Sequence, residues 1–154
     1  MPKTKPTTPS AIELLKQDHD YLKQAYRRFE KMDRQDRPAL RALVGDVCRV
    51  LETHVKLEEE LFYPAVRKVL GDEDLMHEAE IAHDFAKILV GRLKRMKVTD
   101  SAYVATFTVL CEYVMQHIKD EESEIFDKAK RRKLDLQALG RKLIARKIDL
   151  EEAK

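Results

Sequence analysis

Two segments 63 residues apart, HVKLEEE (His54 to Glu60) and HIKDEES (His117 to Ser123), each place a histidine four residues before a glutamate. Each is preceded by a His-Asp pair, in DHDYL (Asp18 to Leu22) and AHDFA (Ala82 to Ala86). The upstream histidines lie 35 residues before His54 and 34 before His117. Overlaid on these segments, Cys48 falls on Cys111, Glu59 on Glu122, Phe62 on Ile125 and Tyr63 on Phe126. The halves therefore match across two segments each, in spacing and in residue type. One His-x-x-x-Glu is weak evidence in a charged helical protein. Two of them, each with an upstream histidine at matched distance, restrict the chain to a duplicated helix pair whose chemistry points inward.

The remaining pattern agrees. Ser10 and Glu13 are spaced as a capping box, opening a helix with Ile12, Leu15, Leu22, Tyr26 and Phe29 on one face. His19 shares that face. A second helix is expected from about Asp36 to Gly71, with Pro38 in its first turn and Pro64 kinking its last turns. A third follows Asp72 to Asp74 and runs to about Lys97, with Met76, Ala79, His83, Ala86 and Leu93 inward. Thr99 to Ser101 read as the cap of a fourth, which ends near Arg132; a short fifth starts at Asp135. Strand-like alternation is absent. The expected fold is all-α, an up-down-up-down four-helix bundle over residues 10–132. A flexible leader (1–9) precedes it and a basic helical tail (133–154) follows.

Composition narrows the class. At 154 residues, 44% hydrophobic and 38% charged, the chain suits one all-helical domain. It has no apolar run of membrane-spanning length. The leader lacks an apolar core of the secretory kind, and two cysteines without an export signal argue against a disulfide framework. A cytoplasmic location is the expectation. The net charge of +2 gives no push towards nucleic acid. From Lys128 onward, however, ten Lys and Arg face four Asp and Glu. That asymmetry could mark an anionic partner or nucleic acid, but the tail has no aromatics and its apolar spacing favours an amphipathic helix, solvated on one face and docked on the bundle or a protein partner.

Positions i and i+4 lie one above the other on a helix. His54 and Glu58 can thus reach one interior point, as can His117 and Glu121, with His19 and His83 arriving from the other two helices. Two buried carboxylates without compensation would be costly. Metal ions neutralise them and use the imidazole nitrogens. Six mixed ligands exceed one tetrahedral zinc site and suit two metals bridged by the glutamates. Imidazole with carboxylate suits iron, with manganese, zinc or cobalt as alternatives. Glu59 and Glu122, about 100° further round, are expected to face a neighbouring helix or solvent. Cys48 and Cys111 read as packing residues.

On these residues the chain resembles the hemerythrin-like, or HHE cation-binding, family. The resemblance rests on His19, His54, Glu58, His83, His117 and Glu121, with DHDYL, EEELFYP and AHDFA around them, and covers about residues 10 to 130. It implies two non-haem iron ions with an oxo or hydroxo bridge and with Glu58 and Glu121 bridging. It also implies chemistry with a small molecule: dioxygen, nitric oxide or peroxide. Oxygen-carrying hemerythrins place a further histidine where this chain has Ala79. Glu80, three residues before His83, is the candidate replacement, whereas His77 points elsewhere. The carriers also have an aspartate at the place of Glu122. These departures favour sensing, iron handling or redox chemistry over plain oxygen carriage. Tyr113, one turn before His117, is a candidate pocket or ligand-supporting residue. Two other classes stand beside small-molecule binding: an enzyme of peroxide removal or iron or iron–sulfur repair, and an interaction module stabilised by metal.

Overall fold

The computed structural model describes residues 8–153, so the expected leader falls almost wholly outside the described residues. Helix α1 spans Ala11–Lys31. Helix α2 runs from Arg37–Leu57 through one π-helical turn, Glu58–Phe62, into Tyr63–Leu70. Helix α3 is Glu73–Arg95. Helix α4 runs from Tyr103–Asp120 through a π-helical stretch, Glu121–Phe126, into Asp127–Lys130. Helix α5 is Leu136–Glu152.

Local chemistry accounts for most boundaries. The side chains of Ser10, Asp36, Asp72 and Asp135 accept hydrogen bonds from backbone N–H groups of the first turns they open. Gly71 ends α2 in the left-handed conformation at φ 64°, which costs glycine nothing. The expected cap of α4 is corrected: Ala102 occupies the cap position without a side-chain bond. Asp100 instead accepts from the Lys97 N–H within the preceding turn, at 2.9 Å.

Helices α1 to α4 form the four-helix bundle, each packed on its sequence neighbours and α4 closing against α1. The interior has two apolar clusters. One holds Leu22, Phe29, Leu40, Phe107 and Leu110; the other holds Leu15, Phe62, Met76, Phe126 and Leu143. Along each helix the inward histidine falls between residues of one cluster and residues of the other. A polar layer thus lies between two hydrophobic ones.

The tail is a full helix lying on α1 and α2, hence on the first half of the repeat. Leu139, Leu143 and Leu150 are buried there, and Arg146 clamps Glu60 at 2.7 and 3.1 Å. Gly140 permits the close approach. A Cβ at this position would come within 3.0 Å of the Ala11 nitrogen and closer still to the Pro9 carbonyl oxygen. Among the described residues, no helix is long and apolar enough to cross a membrane.

Candidate metal centre

The six expected residues meet in the polar layer. His19, His54, Glu58 and Glu121 each offer a ligand atom within 4.8 Å of the others, and so do Glu58, His83, His117 and Glu121. The two tetrads share both glutamates. Glu58 Oε1 lies 3.2 Å from His54 Nε2 and 3.0 Å from His83 Nε2. Glu121 Oε1 lies 3.2 Å from His19 Nε2, and its Oε2 lies 3.4 Å from His117 Nε2. Each carboxylate therefore contacts one histidine of each tetrad.

The outer faces of three imidazoles are held by carboxylates. His19 Nδ1 meets Glu122 at 2.7 Å, His54 Nδ1 meets Asp18 at 2.9 Å, and His83 Nδ1 meets Glu59 at 3.0 Å. An ionised carboxylate only accepts, so each Nδ1 donates outward and Nε2 is the ring nitrogen left facing the centre. Each of these carboxylates is backed by a lysine: Lys23 at 3.8 Å, Lys147 at 3.4 Å and Lys87 at 2.6 Å. Lys147 belongs to the tail, so α5 reaches the centre through Asp18. Burial acts against the charge on Asp18, but His54 and Lys147 outweigh it and lower its pKa. Burial likewise opposes a charge on His54, while Glu58 and Asp18 lift its pKa well above the usual histidine value.

Tyr63 was not among the expected site residues, yet its hydroxyl sits at the centre. It donates to Glu121 Oε2 through a short hydrogen bond, and lies 3.1 Å from His83 Nε2 and 3.4 Å from His117 Nε2. Burial and the surrounding carboxylates push its pKa well above the normal tyrosine value, keeping it a donor. In a regular α-helix Tyr63 would stand about 140° round from Glu58. The π turn winds fewer degrees per residue, and the Tyr63 N–H bonds back to the Glu58 carbonyl. This carries Tyr63 onto the ligand face. The second half has its own π stretch without a proline, so Pro64 is not required for one.

One expectation needs correction and one needs refinement. Glu80 does not join the cluster; its carboxylate pairs with Arg67 away from the centre. Tyr113 does not face inward. It is 47% exposed and stacks on Phe85 at the α3–α4 seam, with ring centroids 4.2 Å apart. There it borders two openings described below. His77 lies on the surface, 3.7 Å from Glu73. Cys48 and Cys111 are buried free thiols, pushed up to about 11 and about 12 by burial. The sequence signal for Glu59 and Glu122 was their coincidence in the repeat, and they do face neighbouring helices, at the histidines. Asp18 carried only its adjacency to His19.

The donor set fits a cation. His19 Nε2, Glu58 Oε2 and Glu121 Oε1 are buried without a hydrogen-bond partner among the described residues. Orphaned polar atoms of this kind are costly unless something absent from the polypeptide satisfies them. Two cavities adjoin the cluster. One, of about 20 Å³, touches all four imidazoles and is otherwise walled mainly by apolar side chains, including Leu22, Leu51, Ala86 and Val114. The other is an open cleft of about 850 Å³ between α3 and α4, reaching His117 and Glu121.

Fold and site together define a helical bundle with a buried histidine–glutamate cation site. The chain belongs to the Hemerythrin HHE cation binding domain family, whose match covers residues 10–129. It is similar to a crystal structure of a hemerythrin HHE cation binding domain-containing protein from Mycobacterium kansasii, with a TM-score of 0.79 and 22% identity. That likeness covers 94% of this chain and 89% of the other. A DNA nickase of Nostoc sp. is 22% identical over 114 residues, 74% of this chain. The matched part is 32% of the nickase, about a third of its length.

Proposed function

We propose that this protein holds two iron ions and binds a small neutral molecule beside them, dioxygen or nitric oxide, as a carrier of a signal or a redox change. His19 and His54 would hold one ion and His83 and His117 the other, with Glu58 and Glu121 shared. Bound iron would supply the electrons and the coordination position that such a ligand needs. The polypeptide orients the imidazoles through Asp18, Glu59 and Glu122, and keeps a proton on Tyr63 facing the glutamates. The observation that carries the choice of ligand is the cavity of about 20 Å³ over the four imidazoles. It has room for about one water-sized molecule, and its apolar walls offer water few partners.

Metal analysis of aerobically purified protein tests the centre, with about two irons per chain expected for the two tetrads. Exposure of the reduced protein to nitric oxide should change the visible spectrum. Val114→Phe, which fills the cavity, should suppress that change while leaving metal content intact. Unaltered gas binding in Val114→Phe would remove the cavity from the reading. The α3–α4 cleft favours a second reading, peroxide removal, because it admits a polar molecule to His117 and Glu121. Peroxide turnover by the parent protein and not by Glu58→Ala would support it.

A further inference from the structure

We infer that the cleft between α3 and α4 is the route by which divalent cations reach the centre, through its His117 side. The inference rests on the metal-centre reading above. The cleft is lined by Asp72, Asp74, Glu78, Glu112, Asp120 and Glu124, and by no lysine or arginine. Lys128 neutralises one end, lying 3.3 Å from Asp72 and 3.9 Å from Glu124. Asp74, Glu78, Glu112 and Asp120 have no cationic partner among the described residues, so they leave the opening negative. A cleft of one charge sign with low-dielectric walls concentrates the opposite ion and speeds its arrival.

The acidic rim alone would be an ordinary solvated surface. The floor makes it a route. Glu121 borders the cleft while only 1% exposed, and on its inner, His19 side it carries an oxygen, Oε1, buried without a hydrogen-bond partner among the described residues. His117 borders it too, with its side chain 16% exposed, whereas those of His19, His54 and His83 are 5% exposed or less. The passage is open because small residues, Ala79 and Ala82, stand on the α3 wall. On the opposite side of the bundle, α5 covers α1 and α2 and sets Lys147 beside Asp18. A cation approaching from there would meet a covering helix with Lys147 in front of Asp18.

The test is the rate at which chelator-stripped, full-length protein takes up ferrous or cobaltous ion in stopped flow. The variant combining Asp74→Asn, Glu78→Gln, Glu112→Gln and Asp120→Asn changes exposed positions only. It should load roughly tenfold more slowly, with a shallower dependence on salt, and reach the parent's final stoichiometry. A control combining Glu13→Gln, Glu30→Gln and Glu151→Gln removes acidic charge elsewhere and should load at the parent's rate. Circular dichroism confirms that each remains helical. Equal rates in the cleft variant and the parent would overturn the route, as would equal slowing in the control, which would make net charge the cause. If the parent protein takes up no metal, the centre itself falls and the route with it.

Discussion

The two halves of this molecule share a backbone plan and differ in how they finish it. Each contributes a histidine, a His-x-x-x-Glu and a π turn, and each reaches across to the other. Glu59 of the first half holds His83 of the second, and Glu122 of the second holds His19 of the first. Tyr63 stacks on His83 and Phe126 stacks on His19, with centroids 5.1 and 5.5 Å apart. The symmetry breaks at two positions. Asp18 fixes His54, but the equivalent residue facing His117 is Ala82. Tyr63 brings a hydroxyl to the centre, but its counterpart Phe126 brings none. The first half is also roofed by α5, whereas the second borders the open cleft. Duplication thus supplies a symmetric donor set, and a few side chains make one side closed and the other accessible.

The largest expected effect addresses what the halves share. Glu58→Ala or Glu121→Ala removes a carboxylate common to both tetrads, so each purified variant should retain little or no metal. Full retention in either would show that its glutamate is not shared. The next effect sharpens the difference. Asp18→Ala should weaken cation affinity about 10–100-fold in chelator competition, by freeing the His54 ring. Ala82→Asp should tighten it, by giving His117 an outer carboxylate, which it lacks among the described residues. Equal affinity in both variants would dissolve the distinction.

Smaller effects concern stability. Tyr63→Phe removes one of the two differences between the halves and leaves Glu121 Oε2 without its donor. In metal-stripped protein this should cost about 1–3 kcal/mol in denaturant unfolding. The cost should shrink in loaded protein, where a cation can satisfy the oxygen. Gly140→Ala drives a methyl group into the Pro9–Ala11 backbone and should cost about 1–3 kcal/mol. Gly45→Ala, in a helix position with nothing within 4 Å, should instead gain about 0.5–1 kcal/mol. The smallest expectation is a point of agreement. Cys48 and Cys111 should both resist iodoacetamide at neutral pH in the folded chain and react after denaturation. Unequal labelling would show that one helix pair opens more readily.

Much of this was legible in the chain itself. Four amphipathic segments with i to i+4 spacing determined the bundle, and the repeat determined that His19, His54, Glu58, His83, His117 and Glu121 converge. Periodicity suffices there, because a helix phases residues one turn apart whatever its neighbours are. Tyr63 escaped that logic because its inward position depends on a π turn, which shifts the phase after Glu58. Glu80 was misplaced, and Tyr113 turned to the rim of the pocket rather than its interior, for a related reason. An ideal helical wheel ranks positions by angle, but Arg67 and Phe85, from other turns and helices, decide where those side chains rest. The partners of the outer imidazole nitrogens, the docking of α5 through Gly140 and the acidic cleft depend on contacts between residues distant in the chain. Sequence spacing sets which face a residue occupies; only the packing of one helix against another sets what that face meets.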